Sequence, residues 1–162
     1  MILSVDRLDY TKGIPERLKA FRKFLIKNPE YADKVVFVQI AVPSRTQIPD
    51  YKHLKDQVEM LVLEINEEFE HLPDAPIYYI YRSFPFEKLC AFYSEADIAL
   101  ITPYFDGMNL ISKEYIVTKK ENGVLILSEL AGAASELGEA LIVNPRNPDQ
   151  IALAIKEAIK CP

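Results

Sequence analysis

Short β-branched runs alternate with segments of helical period along the whole chain, and this alternation restricts the fold more than any other feature. The runs Ile2–Val5, Val35–Val42, Ile77–Tyr81, Ile98–Thr102, Val124–Leu127 and Ala140–Val143 read as buried strands. Between them, Pro15–Lys27 places Leu18, Phe21, Phe24 and Leu25 on one helical face, and Asp50–Phe69 does the same with Leu54, Val58, Leu61, Val62, Ile65 and Phe69. Shorter helices are expected at Phe86–Ser94 and Leu110–Thr118. A last one starts at Pro148, with Asn147 as its cap and Ile151, Ile155, Ala158 and Ile159 on one side. Strand-then-helix repetition with short links predicts an α/β fold, a doubly wound and mostly parallel sheet covered on both faces. In such sheets ligands sit beyond the carboxyl ends of the strands, so the segments following the strands are where a site is sought.

A chain of 162 residues, 49% hydrophobic and 27% charged, reads as one domain spanning 1–162 with enough apolar surface for a core. The net charge of −5 argues against binding nucleic acid through a general surplus of Lys and Arg, so any phosphate must be met locally. The opening MILSVDRLDY lacks signal-peptide character, and no apolar stretch approaches the ~20 residues that span a bilayer. The expectation is a soluble, cytoplasmic protein without membrane contact. Cys90 lies in an apolar run and is expected in the core, and Cys161 reads as a reduced thiol near the end. Together they give neither a disulfide framework nor a metal-ligand spacing. His53 and His71 lie away from the post-strand segments and read as solvated. No Ser/His/Asp or Cys/His arrangement is present.

Two constellations carry chemistry. Asp6 to Gly13 (DRLDYTKG) stands between the first strand and the first helix. Arg7 offers a rigid fork of donors and Lys12 a compact ammonium, a combination suited to a diphosphate, and Gly13 lets the chain turn into the helix. The alternative is a solvated charged loop, and no GxGxxG fingerprint supports a dinucleotide. Thr102 to Glu114 (TPYFDGMNLISKE) follows the fourth strand and opens a helix. There the amides of Gly107, Met108, Asn109 and Leu110 can face an anion with the helix dipole behind them. Glu114 lies one turn further on the same side and can accept hydrogen bonds from vicinal hydroxyls such as those of a ribose. Against this, Asp106 and Asn109 can be simple helix caps. Weaker features are Arg45, which follows the second strand and is either a phosphate contact or solvated, and Phe84 after the third, which can flank a base or belong to the core. The small residues of Ser128–Glu136 permit close approach of a ligand or tight packing of the protein itself.

These segments, with Ile40-Ala41-Val42-Pro43-Ser44-Arg45 and Leu127-Ser128-Glu129-Leu130-Ala131-Gly132-Ala133, resemble the C-terminal half of trehalose-6-phosphate synthases, which are retaining glycosyltransferases with a GT-B fold. The resemblance runs from near residue 2 to about residue 160, and the DGMNL…KE run is its most specific part. It implies a Rossmann-like domain holding a sugar-nucleotide donor, usually UDP-glucose, from which glucose passes to glucose 6-phosphate without a metal. By motif position, Arg7 and Lys12 would contact the diphosphate and Asp106 the hydroxyls of the donor sugar. The Gly107-Met108-Asn109-Leu110 backbone would approach sugar and phosphates, Glu114 would hold the ribose, and Phe84 or its neighbours would bracket the base. Arg7, Lys12 and Asp106 would serve the transfer itself, and retention would follow from front-face attack guided by the leaving phosphate rather than from a pair of carboxylates.

The same family has an N-terminal acceptor domain, which this chain is expected to lack, so the resemblance implies a fragment with little activity alone. Two alternatives stay open. One is the donor domain of a glucosylglycerol-phosphate synthase or a related enzyme, and the other is a non-catalytic nucleotide-binding module.

Overall fold

The computed structural model describes residues 1–119 and 121–161. Six strands form one sheet: β1 (Ile2–Arg7), β2 (Phe37–Val42), β3 (Ile77–Tyr81), β4 (Ile98–Ile101), β5 (Val124–Ser128) and β6 (Leu141–Val143). Their spatial order is β3-β2-β1-β4-β5-β6 and every adjacent pair is parallel. Strand order reverses between β1 and β4, which is where a doubly wound sheet opens a crevice at its carboxyl edge. The helices are α1 (Ile14–Lys27), α2 (Pro49–Glu68), α3 (Phe86–Glu95), α4 (Leu110–Thr118) and α5 (Pro148–Lys160).

The helices divide between two faces because the apolar residues of each strand alternate. Ile2, Phe37, Ala41, Leu100 and Ile126 face a cluster completed by α1, α2 and α5. Leu3, Val5, Val38, Ile40 and Leu127 face a second cluster with Tyr93 of α3 and Tyr115 of α4. The expected stripe on α1 is fully buried, and on α2 the buried residues are Leu54, Val58 and Ile65, with Leu61 and Val62 only half covered. Asn147 caps α5 by accepting the Gln150 amide at 3.1 Å. β3 and β6 are edge strands, so most of their side chains are partly exposed rather than buried. Cys90, expected in the core, is half-buried on α3.

The largest departure from the sequence reading is at the end of β1. Asp6 and Arg7 continue the strand, because β2 runs alongside as far as Val42, and the Leu8 amide still donates to the Val42 carbonyl at 2.8 Å. Charge alone suggested a loop there, but the ladder extends two residues past Val5, the last apolar residue of the strand.

Beneath that point lies a fully buried arginine. Arg17 sits on the apolar stripe of α1 and pairs with Asp6 of β1. It also donates to Gln39 Oε1 at 3.1 Å, to Thr102 Oγ1 at 3.0 Å and to the Lys12 carbonyl at 3.0 Å. A buried guanidinium is tolerated only when its charge and its N–H groups are satisfied, and here one side chain ties α1, β1, β2, the end of β4 and the loop after β1. Replacing it without its partner leaves Asp6 buried and uncompensated. Arg17→Met is expected to cost about 3–5 kcal/mol in urea unfolding; a loss below about 1 kcal/mol would mean that water or another cation readily takes its place.

Candidate functional site

The two constellations meet at the crevice. Asp9 caps the short turn Tyr10–Lys12, its Oδ1 accepting from the Thr11 amide at 2.9 Å and the Thr11 hydroxyl at 2.7 Å. The turn ends at Gly13, whose φ is 65° and whose missing Cβ would stand 2.7 Å from the Thr102 carbonyl, so conformation and space both require glycine. From the other side, the Tyr104 amide donates to the Thr11 carbonyl at 2.7 Å. The loop after β1 and the loop after β4 are thereby joined through backbone.

Their side chains meet as well. Lys12 Nζ lies 2.8 Å from Asp106 Oδ2, an ion pair largely shielded from solvent. Asn109 Nδ2 donates to the same oxygen at 3.0 Å, and the Met108 amide reaches Asp106 Oδ1 at 3.3 Å. Burial raises the Asp106 pKa, but the Lys12 and Asn109 hydrogen bonds, the Lys12 charge and the Met108 amide outweigh it, and the net shift is downward. Asp9 is likewise held low: burial opposes ionisation, while the Thr11 amide and hydroxyl, Tyr51 and the Arg7 charge favour it.

Asp106 is therefore not a helix cap. That role belongs to Asn109, at φ 75°, whose Oδ1 accepts the Ser112 amide at 2.8 Å. Among the amides expected to face an anion, that of Met108 is turned onto Asp106. Glu114 projects from the next turn of α4 and accepts a hydrogen bond from Tyr93 at 2.9 Å, while Lys113 turns away to Glu136 at 2.8 Å. Phe84 is half-buried, edge-on to Phe92 with ring centroids 5.4 Å apart, and the Arg82 guanidinium lies 4.4 Å from its ring centre. This packing makes it part of the core edge, with the Arg82 guanidinium over its ring.

Arg7, Lys12, Arg45, Tyr51, Asp106 and Gly107 line a cleft of about 360 Å³. Arg45 takes a positive φ of 47° and donates to Tyr51 at 3.3 Å, and Tyr51 donates in turn to Asp9 Oδ2 at 3.1 Å. A larger depression of about 570 Å³ lies by the first residues of β5 and β6, Val124 and Leu141, and contains none of these groups. Chemistry rather than size singles out the smaller cleft. Among the described residues, no three His, Cys, Asp or Glu side chains come together to hold a metal ion, and no helix is long and apolar enough to cross a membrane.

The small residues after β5 serve the protein rather than open space for a ligand. The Gly132 amide donates to the Asp106 carbonyl at 2.9 Å and the Ala133 amide to the Met108 carbonyl at 2.8 Å. A Cβ on Gly132 would stand 2.0 Å from the Gly107 carbonyl oxygen, whereas one on Gly107 would meet nothing within 4 Å. Sequence reasoning singled out neither Arg17 nor Tyr93. The signal for Arg17 was present, since its spacing from Ile14, Leu18 and Phe21 puts a charge on the apolar face.

A six-stranded parallel sheet with its polar crevice at the β1/β4 switch defines a Rossmann-like α/β class of domain, and the fold matches GT-B glycosyltransferase structures. An alpha,alpha-trehalose-phosphate synthase (UDP-forming) from Burkholderia vietnamiensis superposes with a TM-score of 0.97 at 42% identity, over 99% of this chain and 37% of that one. The E. coli trehalose-6-phosphate protein bound with UDP-2-fluoro glucose gives 0.97 at 40% identity, over 99% and 36%. In sequence, the alpha,alpha-trehalose-phosphate synthase (UDP-forming) of Candida albicans is 49% identical over 100% of this chain and 34% of its own length. The bifunctional trehalose-6-phosphate synthase/phosphatase of Thermoproteus tenax is 49% identical over 98% of this chain and 22% of its own. The family model for glycosyltransferase family 20 matches residues 1–162, and the chain belongs to that family. It spans about a third or less of the curated relatives it matches.

Two outcomes follow from the packing and the charges. Gly132→Ala is expected to lower stability by about 1–3 kcal/mol through overpacking, and Gly107→Ala to leave it within about 0.5 kcal/mol; equal effects in urea unfolding would contradict the loop contact. Asp9 and Asp106 have folded pKa values below their ordinary 3.8. Their stabilising contribution is thus complete above the unfolded pKa and is lost as pH falls through the folded one. The urea midpoint should decline below about pH 4, and Asp106→Asn should flatten part of that decline; an unchanged acid limb in the variant would contradict the assignment.

Proposed function

We propose that this chain is the donor-binding domain of a trehalose-6-phosphate synthase, holding UDP-glucose while glucose is transferred with retention to glucose 6-phosphate. The observation that carries this reading is the meeting of Arg7, Lys12 and Asp106 in one cleft at the switch point, with Glu114 one helical turn away on α4. Relatives bearing the UDP-forming description, and the similar structure bound with UDP-2-fluoro glucose, support the choice of donor.

The diphosphate lies between Arg7 and Lys12, and the donor sugar offers its hydroxyls to Asp106. To receive both, Lys12 exchanges Asp106 for phosphate oxygen, and Asp106 exchanges the ammonium for sugar hydroxyls. As the bond from the anomeric carbon to the diphosphate oxygen breaks, negative charge grows on the leaving group and the two cations stabilise it. The acceptor hydroxyl attacks from the same face and passes its proton to the departing phosphate oxygen. The residues given these roles meet the charge without a metal. Glu114 accepts ribose hydroxyls, and Phe84 flanks the base.

The cleft has one wall. Phe105, which lines it, is 71% exposed, and Met108 and Leu110 further along the same segment are 49% and 61% exposed, apolar surface suited to being covered by the remainder of the parent enzyme, which also supplies the acceptor site. The chain alone therefore binds the donor weakly and transfers little, because nothing excludes water or aligns the acceptor. Calorimetric titration with UDP, GDP and ADP is expected to give saturable UDP binding, weakened about tenfold or more by Arg7→Ala and by Glu114→Ala, since each removes a hydrogen bond involving a charged group. Binding of none of the three, or UDP binding indifferent to both substitutions, would contradict the proposal.

A further inference from the structure

The ribose role proposed for Glu114 leaves unexplained why its carboxylate should hold still. Two adjacent helices answer this. Tyr93 is 1% exposed, packed in the cluster shared by α3 and α4, and its hydroxyl reaches Glu114 Oε2 at 2.9 Å. Burial, together with the Glu114 hydrogen bond and charge, drives the Tyr93 phenol far above its ordinary range, so it stays a neutral donor at every working pH. A phenolic O–H has one proton to give, and here it goes to one carboxylate oxygen. The other oxygen keeps its lone pairs for a ligand, and the bond restrains where the carboxylate points.

The same helix also leads to the base. The loop Arg82–Phe84 runs into α3 through Pro85, and Phe84 packs on Phe92, the residue beside Tyr93. The Tyr93–Glu114 bond is thus a direct polar link between the helix that carries the aromatic loop and the helix that carries the carboxylate, and it is the one that ends on the carboxylate; others, from the Tyr115 hydroxyl to the Ala96 carbonyl at 3.1 Å and from Lys119 to the Ser94 carbonyl at 2.9 Å, end on backbone.

We infer that Tyr93 is a positioning residue for nucleoside recognition, orienting Glu114 so that its free oxygen receives the vicinal hydroxyls of the ribose. The inference rests on the donor-binding reading of Glu114. A role in packing alone would leave ribose discrimination untouched, because phenylalanine keeps the ring and its volume.

The test compares UDP with 2′,3′-dideoxyuridine diphosphate, which has the same base and diphosphate and no ribose hydroxyls. Calorimetry on the wild-type chain, Tyr93→Phe, Glu114→Gln and the double variant supplies the affinities, and thermal melting checks that each is folded. Tyr93→Phe is expected to weaken UDP about fivefold and leave the dideoxy analogue unchanged, and it should add nothing in the Glu114→Gln background. Equal weakening of both ligands makes Tyr93 structural and overturns the inference. No weakening of either overturns it too, with the donor reading left standing if Glu114→Gln still weakens UDP. Failure of the wild-type chain to bind either ligand overturns both.

Discussion

The site rests on one buried ion pair. Arg17 and Asp6 lie under the switch point, and the remaining guanidinium hydrogen bonds reach Gln39, Thr102 and the Lys12 carbonyl. A buried charge pair is weak evidence of net stabilisation, since removing two ions from water consumes most of what they gain from each other. Its value here is geometric. Four segments that diverge in sequence are held to one point, and each delivers a different part of the crevice. The pair is buried and does not line the cleft, whose cations are Arg7, Lys12 and Arg45.

From that base the crevice is built as two poles. The pole proposed for the diphosphate consists of two loops joined by backbone, Tyr104 to Thr11, and closed from behind by Gly132 and Ala133 against Asp106 and Met108. The pole proposed for the nucleoside consists of α3 and α4, joined through Tyr93 and Glu114. In the first, Lys12 and Asp106 neutralise each other at 2.8 Å. In the second, the Glu114 carboxylate is held by the Tyr93 hydroxyl. A ligand bridging the two poles replaces contacts already formed rather than ordering loose chain, which lowers the entropic cost of binding.

The fold was legible because its information is local. Alternation of β-branched runs with helix-period segments located six strands and five helices, and the glycine after Lys12 and the asparagine before Pro148 marked turn and cap correctly. Arg7, Lys12, Asp106 and Glu114 were singled out because they stand in the segments at and beyond the carboxyl ends of the first and fourth strands, and the structure brings Arg7, Lys12 and Asp106 to one cleft. What the sequence concealed is non-local. Arg17 meets Asp6, Gln39 and Thr102 at separations of 11, 22 and 85 residues, so its partners emerge only from the sheet order. The function of Gly132 was ambiguous for the same reason, because a small residue in a loop does not reveal whether ligand or backbone fills the space beside it. Edge strands read as buried because apolar composition does not distinguish the third strand in sequence from the third in space.

Amide hydrogen exchange on the chain without added nucleotide addresses the central claim, that the loops after β1, β4 and β5 are assembled before any ligand arrives. The amides of Tyr104, Gly132 and Ala133 donate to carbonyls of the facing loops at 2.7, 2.9 and 2.8 Å. They should exchange as slowly as the amides of β1, with or without UDP. Exchange at the rate of solvated loop amides in the free chain, with protection appearing only when UDP is added, would contradict it.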